Sequence, residues 1–179
     1  MTTLPERRVR VYLVGFMGSG KTCVGALAAR ELGVPFLDLD RRIEEAAGMP
    51  VRRIFERFGE TYFRELEHVC LGLTRRLADC LVATGGGTFA SLRNRRTIRA
   101  AGISVFLDVD FDTIARRLGE RGRRERPLFA DEARARALLE ARLPSYRRAD
   151  LTIGVHNDDP ADLVAARILR AIREISCVT

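Results

Sequence analysis

Val9-Arg10-Val11-Tyr12-Leu13-Val14-Gly15-Phe16-Met17-Gly18-Ser19-Gly20-Lys21-Thr22 is the stretch from which the fold can be read. Its first six residues form a short apolar, β-branched run of the kind that reads as a buried strand. The rest is a GxxxxGK[ST] loop, in which consecutive backbone N–H groups turn inward onto an anion and side chains would block the approach. Gly15, Gly18 and Gly20 leave that space. Downstream, Val24, Leu27, Ala28 and Leu32 recur at helical spacing and stop at Gly33. Thr22 therefore opens a helix whose positive end faces the loop, with its hydroxyl placed to ligate Mg²⁺. Of 31 basic residues only Lys21 is a lysine, so the sole compact ammonium of the chain falls where a point charge must reach between phosphates. The stretch predicts a nucleotide phosphate site.

A length of 179 residues with 46% hydrophobic content predicts one domain, spanning residues 1–179, with a sizeable core. Met1 to Arg8 is short and polar, and no run of about 18 apolar residues occurs, so neither a signal peptide nor a membrane span is expected. Cys23, Cys70, Cys80 and Cys177 form no CxxC pair and read as small buried thiols in a reducing, cytoplasmic setting. A net charge of +7 raises nucleic-acid binding as a rival function, with Arg121-Gly122-Arg123-Arg124-Glu125-Arg126 as its best support. Against it, the chain has no Trp, no basic stretch is interleaved with stacking rings, and most arginines lie beside acidic residues on polar helix faces. No nucleic-acid partner is expected.

Strand-like runs recur at Val9 to Val14, Pro35 to Leu39, Leu81 to Thr84, Ile103 to Val109 and Leu151 to Val155, with helical patterns between them. This alternation predicts an α/β fold, a parallel sheet covered on both faces by helices. The longest predicted helix, Glu60 to Ala78, lines up Phe63, Leu66, Val69, Cys70, Leu73 and Leu77. The last begins with Asp159 as N-cap and Pro160 at its first position, and turns Leu163, Val164, Ile168, Leu169 and Ile172 inward. The charged segment over residues 119–131 lacks an apolar stripe and reads as a lid. His68 and His156 have no partner at ligand spacing and read as structural or solvent-facing.

Ligands of open α/β sheets collect beyond the carboxyl ends of the strands. Asp38 and Asp40 end the second run, two apart, and would share one side of an extended strand. One could hold a metal's water shell and the other a hydroxyl; alternatively they cap the helix that follows. Gly85-Gly86-Gly87-Thr88 follows the third run and exposes N–H groups to a small polar ligand, or is a plain turn. In Arg126-Pro127-Leu128 an arginine precedes a rigid proline on the lid, where it could swing over a transferring phosphate. Arg64 reads equally as a helix-surface partner of Glu60 or Glu67.

With these residues in order, the chain resembles the shikimate kinases, among the P-loop small-molecule and nucleoside monophosphate kinases. The resemblance runs from Arg10 to Ile172 and rests on five ordered motifs: the glycine-lysine loop, Phe36-Leu37-Asp38-Leu39-Asp40, Phe63-Arg64-Glu65-Leu66-Glu67, Gly85-Gly86-Gly87, and Arg126-Pro127-Leu128 followed by Arg142-Leu143-Pro144-Ser145-Tyr146. It implies a three-layer α/β/α fold with a five-stranded parallel sheet and a mobile lid, acting as a monomer. It also implies transfer of the γ-phosphoryl group of ATP to the 3-hydroxyl of shikimate with one Mg²⁺ per subunit. By position, Gly18, Ser19, Gly20, Lys21, Thr22 and Cys23 would hold the phosphates, and Thr22 and Asp38 the metal. Asp40 would orient the attacking hydroxyl or accept its proton. Arg64 and Arg142 would pair the substrate carboxylate, Gly86 would offer a backbone contact, and Arg126 would close beside Lys21. Two departures stand out: the stretch from Arg126 to Arg142 is short, and the region just after the last strand reads His156-Asn157-Asp158-Asp159 with no arginine, leaving Arg117 or Arg121 to stack on adenine. A kinase of the same group acting on another sugar acid, such as gluconate, is the nearest competing function.

Overall fold

The computed structural model describes residues 10–124, 129 and 131–176. Five strands, β1 (Arg10–Val14), β2 (Phe36–Asp38), β3 (Cys80–Ala83), β4 (Ile103–Val109) and β5 (Leu151–Val155), pair in the order β2-β3-β1-β4-β5. Every pairing is parallel. The central strand β1 is buried on both faces, with Val11 to Val14 all inaccessible, which is why its sequence is continuously apolar.

Seven helices connect and cover the sheet among the described residues: α1 (Lys21–Leu32), α2 (Leu39–Ala47), α3 (Val51–Leu73), α4 (Leu92–Ala101), α5 (Phe111–Arg124), α6 (Glu132–Tyr146) and α7 (Ala161–Ser176). The chain leaves β1 toward the β2 edge and later leaves β3 toward β4. Right-handed crossovers in these two directions put α1 and α4 on opposite faces of the sheet. The order reverses at β1, so the loop after β1 stands at the switch point where open sheets bind ligands.

Several expectations need correction. The long helix starts after Gly59 as expected, but Gly59 (φ 80°, ψ 175°) joins it across a kink to a helix from Val51, with no loop between the two. It ends at Leu73, where Thr74 starts a 3₁₀ turn and its hydroxyl donates to the Leu71 carbonyl at 2.7 Å. Val69 and Leu73 are exposed, leaving Phe63 and Cys70 as the buried members of the predicted stripe. Asp159 lies upstream of α7 instead of capping it: its carboxylate accepts the His156 N–H at 2.8 Å and pairs with Arg167, and Leu163 faces outward. Cys23 is exposed, whereas Cys70 and Cys80 are buried and burial pushes both thiols up. Cys177 lies outside the described residues. In the segment read as lacking an apolar stripe, one residue, Phe129, is buried and stacks on Phe111 at 5.9 Å. No helix among the described residues is long and apolar enough to cross a membrane.

Candidate active site

The loop after β1 takes the shape its glycines permit. Gly18 (φ 80°) and Gly20 (φ 90°) occupy the left-handed region, and Gly20 is the N-cap of α1 with no side chain closing the first turn. The first N–H groups of α1 therefore point at the loop's concave side, where helix polarity favours an anion. Lys21 is buried, and its ammonium lies 2.9 Å from the Gly15 carbonyl, 2.7 Å from that of Phe16 and 3.2 Å from Ser19 Oγ. These contacts hold the charge inside the loop it serves.

Thr22 Oγ1 donates to Asp38 Oδ2 at 2.7 Å, bringing together the two residues expected to serve a metal. Asp38 is also the N-cap of α2, its Oδ1 accepting from the N–H groups of Asp40 and Arg41 at 3.1 and 3.3 Å. The extended run thus ends at Asp38, and Asp40 stands in the first helical turn rather than beside Asp38 on a strand. Both carboxylates still reach one cleft, because the first turn of a helix curls back over its cap. Asp40 opens on the cleft, yet loss of hydration on its protein side, then the negative charges of Asp38 and Glu67, push its pKa up to about 6 against the pull of Lys21.

For Mg²⁺, no group of three or more His, Cys, Asp or Glu able to hold a metal occurs among the described residues. Mg²⁺ in phosphotransferase sites needs only one or two carboxylates, the remaining positions being filled by water and substrate phosphates. The Thr22 hydroxyl beside Asp38 fits that requirement.

Opposite the phosphate loop, Gly85-Gly86-Gly87 forms a turn against which the predicted arginines converge. A Cβ on Gly87 would lie 2.6 Å from two guanidinium nitrogens of Arg64, and one on Gly86 would lie 3.7 Å from an Arg142 nitrogen. One on Gly85 would meet Asp40 Oδ1 at 2.8 Å, so Asp40 borders the same turn. Arg142 also sits 5.9 Å over the Phe16 ring, which ties it to the phosphate loop. Arg64 bonds Glu60 and Glu67, so its expected helix-surface pairing and its position by the glycine turn both occur.

Glu67 is the residue that sequence reasoning placed least well. It is fully buried, and accepts from Thr88 Oγ1 at 2.7 Å, from Arg64 at 3.1 Å and from Asn94 Nδ2 at 3.5 Å. The available signal was its place four residues after Phe63 and three before Cys70, on the inward stripe rather than the polar face. His68, read as structural, bonds Asn94 at 2.7 Å. Tyr146, quoted only as part of a motif, donates its hydroxyl proton to the Gly86 carbonyl.

A cleft of about 350 Å³ runs along this arrangement, lined by the loop from Met17 to Cys23 and by Asp38, Asp40, Thr84, Gly86, Arg117 and Leu118. Arg117 donates to the His156 and Asn157 carbonyls at 2.7 and 3.3 Å, so it spans to the loop after β5, where no arginine of that loop's own is available. Arg126 lies outside the described residues, as does the side chain of Arg121. A second hollow of about 360 Å³ beneath α2 is walled chiefly by Leu37, Leu39, Leu73, Leu77 and Val82 and holds none of the loop amides.

A parallel sheet with a glycine-lysine loop at its switch point, paired carboxylates beside it and arginines across the cleft defines a P-loop kinase. The family model described as Shikimate kinase matches residues 17–173. The chain is 43% identical over 176 residues to the shikimate kinase of Geobacter sulfurreducens, covering 96% of this chain and 95% of that one. It is 37% identical to the shikimate kinase from Acinetobacter baumannii solved in complex with shikimate, with a TM-score of 0.86 and 93% of each chain covered. A gluconokinase from Sinorhizobium meliloti, 18% identical with a TM-score of 0.58 over 96% of this chain and 99% of its own, shares the fold. The chain belongs to the shikimate kinase family.

Proposed function

We propose that this protein transfers the γ-phosphoryl group of ATP to the 3-hydroxyl of shikimate, giving shikimate 3-phosphate and ADP. The observation that carries this reading is the convergence of Arg64 and Arg142 on the Gly85–Gly87 turn, with Asp40 bordering the same turn and the phosphate loop across the cleft. Two guanidinium forks beside one backbone turn suit a small planar carboxylate, which each can pair bidentately. A polyol acid held there would present a ring hydroxyl toward Asp40.

In the reaction the hydroxyl oxygen forms a bond to the γ-phosphorus while the bond from that phosphorus to the β–γ bridging oxygen breaks. The hydroxyl proton passes to Asp40, which is mostly ionised at neutral pH given a pKa of about 6. The amides of Gly18 to Cys23 and the Lys21 ammonium hold the phosphates, and Arg126 adds positive charge over the γ-phosphoryl group as transfer proceeds. Thr22 and Asp38 would hold one Mg²⁺, which when bound would neutralise phosphate charge. Arg117, or Arg121, would flank the adenine. The same reading has residues 1–179 acting as one domain and as a cytoplasmic monomer, with residues 119–131 as a mobile lid and no nucleic-acid or membrane partner.

The test is the identity of the product. Incubation with MgATP and shikimate should yield a monophosphate ester whose phosphorus NMR coupling places it on the 3-oxygen; a phosphorylated product at another position, or none, would refute the assignment.

A further inference from the structure

The Tyr146 hydroxyl sits where both expected substrate contacts of the acid-binding side can be reached at once. Its ring lies at the end of α6, wholly buried and stacked on Phe106 at 5.3 Å, so the phenol oxygen has no rotational freedom beyond its own proton. That proton goes to the Gly86 carbonyl. The Arg142 guanidinium, one helical turn back on α6, borders the same turn: a Cβ on Gly86 would lie 3.7 Å from one of its nitrogens. Burial pushes the phenol up to about 12, against the opposing effects of Arg142 and Arg64, so the proton stays in place across the working pH range. The hydroxyl is thus a fixed donor to the glycine turn that the Arg142 fork borders.

We infer that Tyr146 is a positioning residue for the acceptor: its hydroxyl locks the Gly85–Gly87 turn and the Arg142 fork into one fixed relation for reading the substrate carboxylate. This rests on the acceptor site proposed above. A fork aimed at a carboxylate loses much of its advantage if it rotates, because bidentate pairing depends on coplanarity. The Gly86 carbonyl, held from one side, also fixes the plane of the peptide that carries the Gly87 N–H. Glu67 fixes Arg64 in the same way from the other side. Arg64 is therefore held directly by a buried group, and Arg142 borders a turn that a buried group holds.

The experiment is a steady-state comparison of Tyr146→Phe with the parent enzyme, alone and in an Arg142→Ala background. Phenylalanine keeps the ring stacked on Phe106 and removes only the hydroxyl. The KM for shikimate should rise about tenfold, as expected when a buried hydrogen bond that fixes the acceptor turn is lost, while kcat and the KM for MgATP stay within about twofold. In the Arg142→Ala background the same substitution should change the shikimate KM by less than about threefold, because the fork it orients is gone. An unchanged KM in the single variant, an equal rise in both backgrounds, or an equal rise in the KM for MgATP would each overturn the role. If Tyr146→Phe unfolds, Tyr146→His, whose ring N–H can donate to Gly86, should restore folding and part of the shikimate affinity; a folded Tyr146→His with normal shikimate KM and no such bond would also overturn it. Failure of the parent enzyme to phosphorylate shikimate would instead refute the acceptor assignment on which the inference rests.

Discussion

The carboxylate of Asp38 caps the helix whose first turn carries Asp40, its Oδ1 accepting the Asp40 N–H at 3.1 Å. One acidic side chain therefore positions the backbone of another, and its charge adds to burial, the larger cause, in raising the pKa of that neighbour to about 6. If Asp40 accepts the hydroxyl proton, log kcat/KM for shikimate should fall with unit slope below about pH 6, where Asp40 is protonated in the free enzyme. In Asp40→Asn that limb should vanish, together with about two to four orders of magnitude in kcat. A retained acid limb in the variant would assign the titration to another group.

The same shift has a consequence for folding. The folded-state pKa is above the ordinary 3.8, so protonation favours the fold; this contribution is full below about pH 3.8 and is lost as the pH rises through about 6. Asp40→Asn should therefore unfold at higher denaturant concentration than the parent at pH 8, with the gap narrowing toward pH 4. A gap that widens on acidification would contradict the sign.

Arg64→Lys replaces a fork that pairs with Glu60 and Glu67, and in the proposed site with the acceptor, by a point charge. The KM for shikimate should rise about ten- to a hundredfold, with the KM for MgATP nearly unchanged. A parallel rise in both constants would mean that Arg64 acts on the fold rather than on the acceptor.

Gly87→Ala offers an independent approach to the same arginine. The backbone there is ordinary (φ −96°, ψ −15°), so alanine is tolerated by the chain, but its methyl group would lie 2.6 Å from the Arg64 guanidinium and must push it aside. The flexible end of Arg64 can yield, so stability should change by less than about 1 kcal/mol while the shikimate KM rises severalfold. An unaltered KM would show that the guanidinium is not held against this turn.

Glu67→Ala should be the most destabilising of these changes, by about 2 kcal/mol in urea unfolding. It strips the acceptor from the Thr88 hydroxyl and the Asn94 amide inside the protein, while Arg64 keeps Glu60. A loss below about 0.5 kcal/mol would place this carboxylate in a better-hydrated setting than the one observed.

The fold was legible because its two strongest signals are local. The apolar run into the glycine-lysine loop fixed β1 and α1, and the β4 and β5 bounds agree with the predicted runs. What escaped depends on single backbone angles or on the far side of a packed helix. Gly59 lets a helix from Val51 abut the predicted one with only a kink between them, which a residue pattern alone does not distinguish from an ordinary helix end. Asp40 was placed on a strand because period-two spacing looks the same whether or not the chain curls after Asp38. Among site residues, Lys21, Thr22 and Asp38 come together as their spacing suggested, whereas Glu67 and Tyr146 touch partners more than twenty residues away in the sequence, Thr88 and Gly86, that no local pattern reveals. Arginine, abundant enough to suggest nucleic acid, is spent in exposed pairs with acidic neighbours, as in Arg41–Glu45, Arg52–Glu56 and Arg170–Glu174, and on backbone carbonyls: Arg10 binds those of Leu77, Ala101 and Arg75, and Arg95 those of Phe89 and Ala90.

The most direct measurement is ADP release by the purified protein with MgATP and, in separate reactions, shikimate, gluconate, a nucleoside monophosphate or no acceptor. Turnover with shikimate at least about a hundredfold above every other condition is the predicted result. Equal release in all four, or a preference for gluconate, would contradict the acceptor site built from Arg64, Arg142 and Asp40.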